Sequence, residues 1–145
     1  MPRKDTHLVV GALAGGVVTY LLAKHEGSKD PFMEAIGGAL GGLTTACLPD
    51  WIEPAFTPSH RASAHSVAAG AGVSMLIPAL RQFAIDSRKY AETPAFKTLG
   101  AEAVRPDEVT RMMNYLAAGA AVGLAVGYLA HLVLDGHTPA GLPFA

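Results

Sequence analysis

His131 and Asp135 stand four residues apart in "HLVLDGHTPAG", at the end of a long apolar stretch. At that spacing an imidazole and a carboxylate share one helix face. They can grip one divalent ion together, or the acid can orient the imidazole of a ligating histidine. An acid at a helix C-terminus also opposes the helix dipole, at a cost of about 0.3–1 kcal/mol, which a nearby cation would offset. Two other stretches carry the same residue types. "LPDWIEP", Leu48 to Pro54, holds Asp50 and Glu53; "HRASAHS", His60 to Ser66, holds His60, Arg61 and His65. His7 adds an imidazole just ahead of the first apolar stretch. Three or four imidazoles with one or two carboxylates suit zinc, and less commonly manganese or iron. Such a metal lowers the pKa of a bound water and polarises a phosphoryl or carbonyl oxygen. Asp50 or Glu53 can ligate, or serve as the general base. Singly, each position also has an ordinary reading: His7 as a helix cap, Asp50 as part of a helix-stop turn, Arg61 as a lipid-headgroup contact. His25 and His137 read as solvated, and Cys47 as a small packing residue.

The elements that must position these groups are unusually greasy. Half of the 145 residues are hydrophobic and 16% are charged, against about a quarter charged in an average soluble domain. That length fits one domain, residues 1–145. A net charge of −1 gives no electrostatic case for nucleic acid as a partner. A single cysteine, Cys47, excludes an internal disulfide and every cysteine-rich zinc framework. The N-terminus begins like a signal peptide, yet the apolar run continues to Ala23 without a cleavage site, so it reads as a retained helix.

Four stretches lack Lys, Arg, Asp and Glu: Leu8–Ala23, Ala35–Leu48, Ser66–Leu80 and Tyr115–Leu134. They are too long for strands and show no alternation, so helix is expected. Asp30-Pro31 can open the second and Pro49 can close it; Ser63 or Arg61 lies near the start of the third. "RPDEVTRMM" opens the fourth. The charged stretch Gln82–Glu108 reads as a solvated loop with at most one short amphipathic turn. Spanning a bilayer takes about 20 apolar residues, which the fourth stretch reaches, the first reaches with its flanks, and the other two approach when extended by a turn. Glycines recur every four residues at Gly11 and Gly15, at Gly37 and Gly41 beside Gly38 and Gly42, and at Gly119, Gly123 and Gly127. Mid-helix glycine costs up to about 1 kcal/mol in water, whereas in lipid small faces let helices approach closely. The expectation is an all-α, four-helix up-and-down bundle that crosses the membrane. In that topology the starts of helices one and three and the ends of helices two and four share one rim. His7, Asp50, Glu53, His60, His65, His131 and Asp135 would meet there, with His65 in the first turn of the third helix.

The blocks "THLVVGALAGG", "LPDWIEP", "HRASAHS" and "GYLAHLVLDGHTPAGLP" resemble, in order and over nearly the whole chain, those of the YdjM-type membrane-bound metal-dependent hydrolases. That family is similar at fold level to zinc-dependent phospholipases C and related single-strand nucleases. The resemblance implies a helical metal site of His7, Asp50, His60, His65, His131 and Asp135 that hydrolyses a phosphoester-like bond, with membrane lipid as a candidate substrate. It also implies a multi-pass protein of the inner membrane. Ile52 stands where the family pattern places a second acid, with Glu53 one residue later, and Ala62 and Ala64 replace its glycine and threonine. The expected cofactor is a divalent metal, foremost Zn2+. Asp50 or Glu53 would manage the proton and Arg61 would hold the anionic group. The alternative is a non-catalytic membrane scaffold with the metal as a structural staple, whose glycine-rich faces support a homo-oligomer or another membrane partner. A water-soluble bundle carrying the same site is the third reading.

Overall fold

The computed structural model describes residues 4–52, 64–93 and 106–137. Among them the chain forms α1 (Lys4–His25), α2 (Pro31–Thr45), the single turn α3 (Leu48–Ile52), α4 (Val67–Glu92) and α5 (Glu108–Gly136), and no strand. Local chemistry sets most of these boundaries. The α1 helix stops in a Schellman-type turn: Gly27 takes a φ of +74°, and Ser28 N donates to Ala23 O at 2.9 Å. Asp30 caps α2, accepting from Met33 N at 3.0 Å, with Pro31 behind it. Ser66 caps α4 through Ala69 N at 3.0 Å. Asp107 caps α5 through Thr110 N at 2.7 Å, and that hydrogen bond holds its carboxyl below the usual aspartate range.

The bundle packs inside out. The buried residues of α1 are His7, Gly11, Gly15, Thr19 and Ala23, one every four positions, while Val9, Leu13, Val17 and Leu21 stand 57–63% exposed on the outside. Likewise α2 buries Glu34, four glycines and Thr45 and turns Phe32, Ile36, Leu40 and Leu43 outward. A water-soluble domain puts its bulk inside; small residues within and large apolar ones without are the pattern of helices packing in lipid. Three helices, α1, α4 and α5, are long and apolar enough to cross a bilayer. At 15 residues α2 is about 22 Å long, short of the roughly 30 Å hydrocarbon core.

Glycine sets how tightly these helices approach. The α2 helix packs against α1 on one side and α5 on the other. A Cβ on Gly119, Gly123 or Gly127 would overlap the carbonyl oxygens of Glu34, Gly38 and Gly42. On the other side, one on Gly15 would overlap Gly38 O, and one on Gly11 would overlap the Ala46 methyl. The glycine rows expected to serve association between copies are thus occupied within the chain.

The sequence reading needs correcting in three places. The third helix does not end at Leu80: α4 runs on to Glu92, through residues expected in a solvated loop, because its charges find partners across the bundle. Arg88 is 7% exposed, Glu34 is fully buried, and Arg88 Nε and Nη2 donate to Glu34 Oε1 and Oε2 at 2.7 and 2.8 Å. The second helix ends at Thr45, and Pro49 lies inside α3 rather than terminating α2. His65 precedes the Ser66 cap instead of lying in the first turn of α4.

These ties also fix the up-and-down order. Glu26, Ser28, Glu34, Arg81, Arg88, Glu92 and Tyr115 gather at one end. Burial disfavours charge on Glu26, but hydrogen bonds from Arg88 and Arg81 outweigh it and hold the carboxyl below its ordinary range. The opposite end brings together the start of α1, the end of α2 with α3, the approach to α4 and the end of α5.

Candidate metal centre

At that opposite end five expected site residues converge. His7 comes from the first turn of α1, Asp50 from α3, His65 from just ahead of α4, and His131 and Asp135 from successive turns of α5. His65 Nε2 lies 3.1 Å from Asp50 Oδ1 and 3.7 Å from Asp135 Oδ2. His131 Nε2 lies 3.4 Å from Asp135 Oδ2 and 3.7 Å from Asp50 Oδ1. His7 Nε2 is 3.6 Å from Asp135 Oδ1, and the His7 and His131 rings stack at 4.0 Å. Asp135 and His65 are fully buried, His131 is 1% and His7 3% exposed; Asp50, with a side chain 32% exposed, forms the open side. Glu53, His60 and Arg61 lie outside the described residues.

Backbone partners hold the cluster in place. His131 Nδ1 meets Ala46 O at 2.6 Å. A carbonyl only accepts, so Nδ1 carries a proton and Nε2 is the ring atom left facing the carboxylates, the arrangement of a ligating histidine. Tyr128 donates to Ala64 O at 2.6 Å, tying α5 to the residue before His65. Lys4 lies over the Trp51 ring at 5.9 Å and joins the start of α1 to α3. The carbonyl of Ala46 and the hydroxyl of Tyr128 escaped sequence reasoning. A carbonyl has no signature in the sequence, whereas Tyr128, three residues before His131, is on the face that a helical plot turns inward. Cys47 is buried. Burial and the Asp50 carboxylate push its thiol upward, so it is a neutral packing residue, as expected.

The donor set fits a divalent cation. His7, Asp50 and His131, and likewise His65, His131 and Asp135, offer ligand atoms all within 4.8 Å of one another. Most of the separations, 3.4–3.7 Å, are longer than hydrogen bonds, which run about 2.7–3.2 Å. They are close to the spacing of roughly 3.3 Å between ligands that surround a zinc tetrahedrally at about 2.0–2.1 Å. His131 Nε2 and His7 Nδ1 are buried without a hydrogen-bond partner, a cost that bare polar atoms rarely carry. Two carboxylates enclosed among histidines in a poorly solvated place call for a counter-charge, which a divalent cation would supply.

Greasy helices with their bulk turned outward and a histidine–aspartate cluster at one end define a multi-pass helical membrane protein with a polar centre at its rim. The match to known proteins sharpens this. Residues 1–145, the whole chain, fit the model of the YdjM inner membrane protein family, and the chain belongs to that family. It is a multi-pass inner-membrane protein. No curated protein and no solved structure matches it.

Proposed function

We propose that the cluster binds a divalent metal, zinc in the first place, and that the protein hydrolyses a phosphoester-like substrate at the membrane surface. The observation that carries this reading is Nε2 of His131, its ring fixed by Ala46 O, left without a hydrogen bond and facing the Asp50 and Asp135 carboxylates. His7, Asp50, His65, His131 and Asp135 would hold the ion, joined by His60. A bound ion would supply Lewis acidity and acidify a water. Asp50, the one partly open member, is placed to take the proton of that water and pass it outward. Glu53 is the other candidate for that transfer, and Arg61 for holding the anionic group. The buried enclosure of the other four residues also favours a second reading, a metal kept as a structural staple in a non-catalytic scaffold.

Elemental analysis of detergent-purified protein, before and after chelation, tests both readings together with phosphodiester turnover. The hydrolase reading expects metal near one equivalent, lost in His65→Ala and Asp135→Ala, and turnover that vanishes with it. An Asp50→Asn protein that keeps metal but loses turnover would place Asp50 in proton transfer. Metal without any turnover, with unfolding on its removal, supports the staple. Wild-type protein free of metal would overturn both.

A further inference from the structure

The cluster occupies only one face of the end of α5. Turned toward α4 are Leu129, Leu132, Val133 and Gly136, and with Val67, Gly70, Ala71 and Ser74 of α4 they line a shallow groove of about 670 Å³. Three features of this groove identify what it holds. First, its α4 wall is made of small residues: Gly70 carries no Cβ, and one placed there would meet Leu132 Cδ1 at 3.1 Å. The adjoining Met75, Leu76 and Ile77 point away, 41–82% exposed. Second, the groove is mainly apolar: of the residues that line it only Ser74 and His137 carry polar side chains, and both are engaged with their own helices, Ser74 Oγ donating to Gly70 O at 2.8 Å and His137 Nδ1 meeting Val133 O at 2.6 Å. Third, its rim end lies against the cluster: Val67 is two residues from His65, and Gly136 adjoins Asp135. Along α4 the groove runs from Val67 to Ser74, about 10 Å at helical rise, and so descends from the rim into the membrane.

The occupant must come from the bilayer. Only 6% of the apolar window of α4 is buried among the described residues, so in an inner-membrane protein the groove is continuous with the lipid-facing surface. We propose that it seats one acyl chain of a phospholipid and thereby presents that lipid's phosphoester to the histidine–aspartate cluster. Seating the chain rests on the geometry of α4 and α5 alone; delivery for hydrolysis rests on the function proposed above and makes a phospholipid its substrate.

Photolabelling the detergent-purified full chain separates the two parts. The probe is phosphatidylethanolamine bearing a diazirine midway along one acyl chain, and the adducts are mapped by peptide mass spectrometry. Adducts should concentrate on residues 67–74 and 129–136 over the outer face of α1 at Leu13 and Leu21. Ser74→Trp and Ala71→Leu each fill the groove from exposed positions, so neither disturbs the core. Groove labelling should fall about tenfold in Ser74→Trp, the loss expected when roughly two methylenes lose their burial, and less in Ala71→Leu, while α1 labelling stays constant. Equal labelling of both surfaces, or groove labelling indifferent to both substitutions, overturns the proposal. Hydrolysis is read in parallel: Ser74→Trp should raise KM for the lipid and leave kcat/KM for bis(4-nitrophenyl) phosphate unchanged. Equal losses on both esters refute delivery. Groove labelling by a wild-type protein that cleaves neither ester upholds the seat and refutes the hydrolase.

Discussion

Removing Arg88 tests whether the end of the bundle opposite the cluster is held by charge. Its guanidinium makes two parallel hydrogen bonds to Glu34, at 2.7 and 2.8 Å, and a further contact to Glu26. The side chains of Arg88 and Glu34 are 9% and 0% exposed. Arg88→Met leaves the Glu34 carboxylate enclosed with only the Ser28 hydroxyl donating to it. Breaking a buried pair from one side costs about 3–5 kcal/mol, because the remaining charge is uncompensated. At roughly 2–4 °C per kcal/mol for a chain of this size, the midpoint should fall by about 6–20 °C. Glu34→Leu should fall toward the lower end, since Arg88 keeps Glu26. The double variant replaces both charges with apolar volume and should recover to within about 1 kcal/mol of wild type. Thermal unfolding in one detergent, followed by circular dichroism, gives all four corners of the cycle. Two single losses below about 1 kcal/mol that simply add in the double variant would refute the reasoning, and would mean that water reaches the pair.

Three other perturbations have definite outcomes. Gly123→Ala should destabilise by about 1–3 kcal/mol or more, since its methyl would strike the Gly38 carbonyl, while Gly72→Ala, with nothing within 4 Å, should be neutral or gain up to about 1 kcal/mol; matching melting shifts would contradict the packing. Glu26 is held below its ordinary pKa, so its contribution is present at neutral pH and fades as pH drops below about 4.3 and on through the lower folded value. The stability gap between wild type and Glu26→Gln should therefore be widest near neutrality and close in acid, and a gap constant with pH would count against it. Tyr128→Phe removes the tie to Ala64 O and should weaken metal uptake on the order of tenfold, measured by competition with a chromophoric chelator; unchanged affinity would show that His65 is positioned without it.

What could be read from the sequence followed from parity. Four apolar rods joined in up-and-down order leave no choice about which ends share a rim, so His7, Asp50, His65, His131 and Asp135 could be grouped without knowing any distance. The family resemblance pointed to the same residues. The charged stretch from Gln82 was misread for a physical reason: a run containing Asp86, Arg88, Lys89 and Glu92 signals solvent unless the partners of Arg88 and Glu92 are known. Those partners, Glu26 and Glu34 for Arg88 and Lys29 for Glu92, lie more than 50 residues away. Glu34 was the available clue, an acid one position ahead of a stretch otherwise free of charge. The placement of His65 hinged on a cap, and Ser66 won over the earlier candidates because its hydroxyl reaches Ala69 N.

The outward side chains of α1, from Val9 to Leu21, cover about 18 Å of helix with nothing from the described chain over them. The solvent is therefore a structural component of this molecule. A micelle shorter than that band would leave it wet and one much thicker would bury the charged ends, so melting temperature should track detergent tail length and peak where the two match.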